Sequence, residues 1–260
     1  MTDQSLIAAD IPVAPRGLYW IAPSPPDEAC RLVAWWKLVD AVLAARPACV
    51  QWRDKSSRRD RDRQRLAADF GTAVRAAGSR WIVNDDVAIA LELGADGIHL
   101  GQSDLDRIAA QFTEETPAQA QPCAAVKRST PQCLRGHAMS KLRQMLGSRR
   151  SFGITCHNRL DLAAEAAHGT ADLLAFGAFF PSMTKPEAFA TSPASLELLS
   201  AARQAHPDAT ICAIGGITAA HAPALYAAGT DLIAVSSAIS QAADPTAAAQ
   251  AFAPLNRQSL

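Results

Sequence analysis

The sequence has no excess of charge, no long apolar run and no paired cysteines. Lys plus Arg and Asp plus Glu each number 25, so no overall field favours nucleic acid or an anionic membrane, and any anion recognition must be local. The N-terminal stretch has no apolar segment as long as a signal peptide core or a membrane span. The six cysteines show neither a C-x-x-C pair nor metal-finger spacing, which argues against a disulfide framework or a zinc finger. We therefore expect a reduced, cytoplasmic protein without nucleic acid or membrane partners.

Short apolar runs recur along the whole chain. Hydrophobic residues make up 49% and charged residues 19% of the sequence, a globular composition with enough material for a core. The runs are β-branched or aromatic and apolar on both faces, which is typical of strands in a buried parallel sheet. The predicted strands are Gly17–Ala22, Cys49–Arg53, Trp81–Asn84, Gly97–Leu100, Phe152–Thr155, Leu173–Gly177, Ile211–Ile214 and Leu232–Val235.

Helical patterns fill the intervals between these strands. Eight strands, each followed by a helix, favour a single-domain (β/α)8 TIM barrel of the α/β class over an open doubly wound sheet. We find no internal repeat beyond the β/α alternation itself. The predicted helices are Asp27–Arg46, Arg58–Ala77, Asp86–Leu93, Lys141–Leu146, Asn158–His168, Ser192–His206, Thr218–Ala228 and Pro245–Ala253.

One interval is too long for a barrel connection. Nearly fifty residues separate Asp104 from the strand at Phe152, where one helix and two turns need about half that number. The stretch Thr113–Cys133 is rich in Gln, Ala, Pro, Thr and Ser, so we predict a surface insertion at about 111–140, after the fourth strand. We expect residues 1–15 to form a flexible tail and residues 16–260 to form the barrel.

Clusters of charged and polar residues follow the predicted strands, whereas the turns that lead into strands are mostly small and plain. In a barrel the C-terminal ends of all strands meet at one face, where barrel enzymes have their active sites. The cations at these ends are Arg53, Lys55 and Lys185, and the carboxylates are Asp85 and Asp104. Such a set could form plain ion pairs, or it could hold a pyrophosphate on the cations with Mg²⁺ bridging to the carboxylates. We expect Asp86 to begin the next helix and Asp54 to be solvated.

The last two strand ends have the residues of a phosphate site. Gly215-Gly216 directly follows the seventh strand, where the missing side chains let backbone N–H groups approach an anion. Ser236-Ser237 follows the eighth strand and adds hydroxyl groups. Loops seven and eight commonly form the phosphate site of barrels, so we predict that a phosphate binds there.

Several motifs, in this order, resemble those of the thiamine-phosphate synthase family, and the resemblance covers most of the chain. Gln51–Lys55 is similar to the family's Q-x-R-x-K strand end, and NDDVAIALELGADGIHLGQSDL (84–105) is similar to its N-D…G-A-D-G-I/V-H-L/V-G-Q-x-D block. SFGITCHN (151–158) resembles G-x-S-x-H, and FGAFFPSMTKPEA (176–188) resembles G-P-I/V-F/Y-x-T-x-T-K. AIGGIT (213–218) and AVSSAIS (234–240) complete the set. The predicted insertion is not covered.

The resemblance implies a reaction and a role for each matching residue. The family condenses 4-amino-5-hydroxymethyl-2-methylpyrimidine diphosphate with 4-methyl-5-(2-phosphoethyl)thiazole, giving thiamine phosphate and pyrophosphate with Mg²⁺. The residues implied for the pyrimidine diphosphate are Gln51, Arg53, Lys55, Asn84, Thr155 and Lys185, and the catalytic ones among them are Arg53, Lys55, Thr155 and Lys185. Those implied for Mg²⁺ are Asp85 and Asp104. Those implied for the thiazole phosphate are Ser182, Thr184, Gly215, Gly216, Ser236 and Ser237.

The chemistry of this reaction suits such a site. The CH₂–O bond of an aminopyrimidine can ionise because the ring nitrogens and the amine stabilise the methylene cation. The protein then needs to stabilise the departing pyrophosphate, exclude water and present the thiazole nitrogen, with no nucleophilic side chain. The sequence departs from the family pattern at Thr155 (usually Ser), Ala178 (usually Pro) and Ser182 (usually Thr). None of these departures removes a charge or a metal ligand.

Two alternatives remain open at this point. The related barrel that tautomerises the thiazole carboxylate phosphate uses a His after the fifth strand, where His157 stands, but it does not need Asp85, Asp104 and Lys185 together. A non-catalytic sensor of phosphorylated ligands, with the insertion as a partner surface, is the alternative of another class. A requirement for Mg²⁺ separates the synthase from both. The sequence leaves the oligomeric state open, a homo-oligomer included.

Overall fold

The computed structural model describes residues 15–114, 131–181 and 193–254 as a closed parallel barrel. Its strands are β1 (Gly17–Ile21), β2 (Cys49–Trp52), β3 (Arg80–Asn84), β4 (Gly97–Leu100), β5 (Ser151–His157), β6 (Leu173–Phe176), β7 (Thr210–Ile214) and β8 (Leu232–Val235). The strands are paired in sequence order, and Tyr19 of β1 pairs with Ala234 of β8 to close the barrel. The predicted (β/α)8 fold is confirmed, and each strand agrees with its predicted range to within two residues at either end.

Helices surround the barrel wall. They are α1 (Ala29–Leu43), α2 (Asp60–Ala76), α3 (Val87–Glu92), α4 (Gln102–Glu114), α5 (Pro131–Leu146), α6 (Leu160–His168), α7 (Leu196–Ala205), α8 (Ala222–Ala227), α9 (Ser237–Ser240) and α10 (Pro245–Gln250). A 3₁₀ turn, Ala219–His221, precedes α8. Among the described residues, no helix combines the length and the apolar character needed to cross a bilayer.

The barrel wall divides the core into two layers. Side chains alternate in direction along a strand, so one set fills the barrel interior and the other faces the helices. The interior apolar set is Tyr19, Cys49, Ile82, Leu173, Ala175, Cys212, Leu232 and Ala234. In the outer layer the ring of Phe70 lies 5.7 Å from that of Trp35 and 5.1 Å from that of Trp52, centroid to centroid. Because each buried large side chain contributes about 1.5–3 kcal/mol, this cluster holds α1 and α2 firmly against β2.

The predicted insertion is too wide at its C-terminal boundary. Helix α5 begins at Pro131, ten residues before the predicted start at Lys141, and Ala138 and Met139 are fully buried. These two side chains belong to the barrel core, so residues 131–140 are part of the fold and not of a surface loop. At the other end, α4 extends to Glu114. Residues 115–130 lie outside the described residues, and so do residues 1–14 of the predicted tail at 1–15.

The N-terminal end of the barrel has the same ion pair three times. An Asp directly precedes each of β4, β6 and β8, and its Arg partner comes from the helix that leads into the preceding strand. We call these pairs the Arg–Asp clamps. They are Arg75–Asp96, Arg143–Asp172 and Arg203–Asp231.

Each clamp makes the same set of hydrogen bonds. The carboxylate accepts the backbone N–H of Trp81, Phe152 or Ile211 at 2.8, 2.8 and 2.9 Å. The backbone N–H of the Asp donates to the carbonyl of that same residue. The Arg donates to the carbonyl two positions before the Asp, in the order Gly94, Thr170, Gly229. Each clamp therefore joins a helix, a turn and a strand through charge-assisted hydrogen bonds.

The clamps show a repeat of two β/α units, which our sequence analysis missed. We predicted no repeat beyond the single β/α unit, and we took the turns before the strands as plain. In the described part of the chain, the remaining pair of strands, β1 and β2, has no clamp, because Ala48 stands before β2 where the other three pairs have Asp. The repeat was hard to find because each Arg is between 21 and 29 residues away from its Asp.

Candidate active site

Asp85 lies at a sharp turn immediately after β3. Its φ angle is 62°, in the left-handed region that Asp tolerates better than most residues. Its backbone N–H donates to the carbonyl of His99 in β4 at 3.0 Å. The next residue, Asp86, caps α3 by accepting the N–H of Ile89 at 3.0 Å. The prediction that Asp86 begins this helix is confirmed, and the cap fixes the turn that carries Asp85.

The carboxylate of Asp85 meets a cation and a second carboxylate. Lys55 Nζ donates to Asp85 Oδ2 at 2.9 Å, and the side-chain amide of Asn84 donates to the same oxygen. Asp104, in the first turn of α4, lies close enough to Asp85 for the two carboxyl groups to interact. Burial and then the negative charge of Asp85 raise the pKa of Asp104. Burial opposes ionisation of Asp85, but the hydrogen bond and charge of Lys55, together with the interactions of Asp104 and Asn84, outweigh it and lower the pKa of Asp85.

Two carboxylates in contact fit a divalent cation. When both are ionised they repel each other, unless a proton or a cation lies between them. Among the described residues, no group of three His, Cys, Asp or Glu side chains is arranged to hold a metal. A cation bound by Asp85 and Asp104 would therefore need further oxygen ligands from water and a substrate. Mg²⁺ binds proteins in this way, through one or two carboxylates together with phosphate oxygens.

These residues share one open cleft of about 480 Å³. Four predicted site residues line it, namely Lys55, Asn84, Asp85 and Asp104. The remaining lining residues are Asp54, Arg63, Asp86, Val87, Ala88, Arg107, Ile108 and Gln111. The structure thus brings residues from the ends of three strands to one cavity, as the sequence predicted.

Asp54 and Arg63 belong to this cleft, and our sequence analysis assigned neither. Asp54 was predicted to be solvated, which is wrong: its side chain is fully buried and pairs with Arg63 at 3.4 Å. Position along the strand could have indicated this. Asp54 comes two residues after Trp52, whose side chain packs outward against the helices. Because side chains alternate in direction along a strand, Asp54 is expected to point the same way, whereas Arg53 and Lys55 are expected to point into the barrel.

A polar layer lies in the barrel interior below the cleft. Gln51 is buried and donates to the hydroxyl of Tyr19 at 2.7 Å. Across the barrel, His99 Nε2 and Thr155 Oγ1 are hydrogen-bonded at 3.0 Å. Burial lowers the pKa of His99 to about 4, so its imidazole is neutral at physiological pH. Gln102 donates to the carbonyl of Thr155, which ties β5 to the start of α4.

Of the two other predicted cations, the structure describes Arg53 but not Lys185. Arg53 directly follows β2 and is half-buried, but it is not among the residues that line the cleft. It comes two residues after Gln51, whose side chain lies in the barrel interior, and residues two apart in a strand point to the same face. Ser182, Thr184 and Lys185 lie outside the described residues.

The predicted phosphate loops lie on adjacent strands. Ile214 at the end of β7 pairs with Ala234 of β8, so Gly215-Gly216 and Ser236-Ser237 follow neighbouring strand ends. Both glycines have positive φ, 104° and 63°. A Cβ on Gly216 would lie 2.3 Å from the carbonyl oxygen of Phe180, so a side chain there would displace the neighbouring loop. Phe180 in turn stacks on the ring of His221, with ring centroids 3.6 Å apart.

Comparisons with known proteins agree on one family. A family model described as thiamine monophosphate synthase matches residues 18–116 and 135–239. A thiamine-phosphate synthase from Thioalkalivibrio sulfidiphilus is 38% identical over 240 residues, which are 92% of this chain and 95% of that protein. One from an Azoarcus species is 38% identical over 242 residues, covering 92% and 97% of the two chains.

Solved structures show the same fold. A thiamine phosphate pyrophosphorylase from Pyrococcus furiosus superposes with a TM-score of 0.65 at 22% identity, over 92% of this chain and 94% of that one. At this identity the likeness supports the barrel and no more. The family match leaves out residues 117–134, which lie mostly in the undescribed segment between α4 and α5.

Proposed function

Since this chain belongs to the thiamine monophosphate synthase family, we propose that it condenses the pyrimidine diphosphate with the thiazole phosphate, with Mg²⁺, at the cleft above β2, β3 and β4. The products are thiamine phosphate and pyrophosphate. The observation that carries the site assignment is the contact of Lys55, Asp85 and Asp104 at one open cavity. A tautomerase does not need a cation and two carboxylates together in this way, and neither does a non-catalytic sensor.

Asp85 and Asp104 are the residues that would hold Mg²⁺. Their like charges, their contact and their place in an open cleft support this assignment. Bound there, Mg²⁺ would neutralise charge on the diphosphate leaving group. Lys55 adds a positive charge on the same side, and Asn84 orients the Asp85 carboxylate. By the resemblance, Arg53 and Lys185 also hold the diphosphate, as part of this proposal.

The polar interior layer would receive the aminopyrimidine ring. Gln51 and Thr155 offer hydrogen-bonding groups at the level of the strand ends, and each is already oriented by a buried partner, Tyr19 or His99. Fixed partners of this kind reduce the reorganisation needed when a substrate binds. Because the imidazole of His99 is neutral, it can orient the Thr155 hydroxyl without adding charge beside the forming cation.

The thiazole phosphate would bind at the opposite side of the mouth. Gly215 and Gly216 present backbone N–H groups without side chains, and Ser236 and Ser237 add hydroxyls on the adjacent strand. Ser182 and Thr184 belong to this proposal by resemblance. Neither phosphate site needs a covalent intermediate with the protein.

The bond changes balance without a nucleophilic residue. The pyrimidine CH₂–O bond breaks, and its electron pair leaves with the pyrophosphate. The lone pair of the thiazole nitrogen then forms the new C–N bond to the methylene carbon. The side chains named above hold the two substrates in line and stabilise the leaving charge.

A direct assay tests the proposal. The purified protein is mixed with both substrates and Mg²⁺, and pyrophosphate and thiamine phosphate are measured together. We expect equal amounts of both products, and none when the thiazole phosphate is omitted or when EDTA removes the metal. Turnover of a thiazole carboxylate phosphate without metal would support a tautomerase, and tight binding of either phosphate without products would support a sensor.

A further inference from the structure

Arg63 on α2 contacts two acidic residues from different strand ends. Its guanidinium lies 3.4 Å from Asp54 Oδ2, after β2, and 3.1 Å from Asp86 Oδ2, after β3. Its side chain is one quarter exposed and lines the active-site cleft. Arg63 therefore joins the two loops that carry Lys55 and Asp85.

Asp54 organises the backbone around Lys55. Its Oδ1 accepts the N–H of Ser56 at 2.8 Å and the hydroxyl of Ser24 at 3.3 Å. Ser24 in turn accepts the backbone N–H of Lys55 at 2.9 Å. Since the Asp54 side chain is fully buried, its charge needs a partner, and among the described residues Arg63 supplies the cation.

Asp86 organises the turn around Asp85 in the same way. Its carboxylate caps α3 through the N–H of Ile89, and its own backbone N–H donates to the carbonyl of Asn84 at 2.8 Å. These two bonds enclose Asp85, whose left-handed backbone needs support from its neighbours. A shift of Asp86 would therefore move the carboxylate of Asp85.

We propose that Arg63 is a positioning residue that sets the separation between Lys55 and the Asp85–Asp104 pair, and so the affinity of the cleft for a metal–diphosphate pair. This inference rests on the proposed function, since it assigns Arg63 to that same site. Arginine suits the role because its planar fork can bond two carboxylates at once, which a lysine ammonium does less well. The bridge spans the second and third strand ends, so its loss acts on two site loops together.

The test compares Arg63→Met with Arg65→Met, an exposed arginine on the same helix. We expect Arg63→Met to lower kcat/KM about tenfold to thirtyfold and to raise the half-saturating Mg²⁺ concentration severalfold. Arg63→Lys should fall between wild type and Arg63→Met in both measurements. Arg65→Met should match wild type. Equal values for the two Met variants would overturn the proposal.

A second variant separates positioning from folding. Asp54→Asn removes the buried charge that Arg63→Met leaves without a partner, so the double variant should regain melting temperature. Its kcat/KM and its Mg²⁺ response should stay as low as in Arg63→Met, because the bridge between the two loops is still missing. A double variant that recovers kcat/KM and the Mg²⁺ response together with the melting temperature would make Arg63 merely structural. Mn²⁺ binding in the presence of pyrophosphate, followed by electron paramagnetic resonance, provides a readout without turnover. If wild type makes no thiamine phosphate, the proposed function fails, while an Mn²⁺ affinity lowered in Arg63→Met but not in Arg65→Met still supports the bridge.

Discussion

Two sets of acidic residues, one at each end of this barrel, are paired in different ways. At the N-terminal end, each Asp of an Arg–Asp clamp has one arginine and one backbone N–H as partners. At the C-terminal end, Asp85 and Asp104 are in contact with each other, and Asp85 has a left-handed backbone. The first arrangement satisfies every charge locally. The second brings two carboxylates together in an open cleft, where Lys55 pairs with Asp85 at 2.9 Å and Arg107 pairs with Asp104 at 3.6 Å.

This difference shows how one fold separates stability from chemistry. Backbone strain and like-charge contacts cost free energy and persist only where the surrounding structure supports them. Three repeated clamps and the outer aromatic cluster supply such support at positions remote from the cleft. Barrel enzymes in general keep catalysis at the C-terminal face and stabilising residues at the other face, and here the division is visible in how single carboxylates are paired.

The largest effect should come from Asp85→Asn at the C-terminal end. We expect turnover to fall at least 100-fold, the size of effect typical of losing one electrostatic catalytic group. The melting temperature should change little, because Lys55 is half exposed and can return to solvent. Thiazole phosphate binding should be retained. Asp62→Asn, on the exposed surface of α2, is the matched control, and an Asp85→Asn variant as active as that control would refute the site.

The next largest effect should come from breaking a clamp, and it should be on stability alone. Asp231→Ala leaves Arg203 and the N–H of Ile211 without their partner, which should cost about 2 kcal/mol. That corresponds to a fall in melting temperature of about 4–8 °C. The exposed Asp208→Ala at the same end should leave the melting temperature unchanged. A large loss of kcat/KM in Asp231→Ala, measured at a temperature where the variant is folded, would contradict the claim that the N-terminal end contributes to stability and not to catalysis.

A pair of glycines gives a smaller and more selective comparison. Gly216→Ala should raise the KM for the thiazole phosphate about tenfold, because its Cβ meets the carbonyl oxygens of Phe180 and Pro181 at 2.3 and 2.4 Å. The KM for the pyrimidine diphosphate should stay the same. Gly78→Ala has a similar positive φ of 78° but open space around its Cβ, so it should lower stability without changing either KM. Equal kinetic changes in both variants would remove the phosphate assignment.

The smallest effect is expected from replacing residues 116–129 with a short Gly-Ser linker. The replaced segment lacks an apolar period and falls almost entirely within the part that the family match leaves out. We expect kcat/KM to change less than twofold, since long surface insertions change stability little. Loss of soluble protein after the replacement would show that this segment belongs to the barrel.

The fold was predictable from the sequence because the strands are apolar on both faces. That pattern located β1 to β8, and the polar residues after them located Lys55, Asn84, Asp85 and Asp104 at one cleft. The start of α5 was missed because its first turns are rich in polar residues. Pro131 at the first helical position is a start signal that could have found it.

Other features depend on partners that sequence spacing does not indicate. Asp54 has cations on both sides in the sequence and was taken as solvated, yet its actual partner is Arg63, on the following helix. The clamps were missed for the same reason, since an ion pair across a helix, a turn and a strand leaves no local motif. Pairing of this kind depends on tertiary contacts, which the sequence pattern alone does not report.

The most direct test of the central claim is Mn²⁺ binding in the presence of pyrophosphate, compared among wild type, Asp85→Asn and Asp104→Asn. We predict that wild type binds one Mn²⁺ per chain and that both variants bind it at least tenfold more weakly. Asp231→Ala, altered at the other end of the barrel, should bind as wild type does. Equal Mn²⁺ affinity in all four proteins would contradict the assignment of the cation to Asp85 and Asp104.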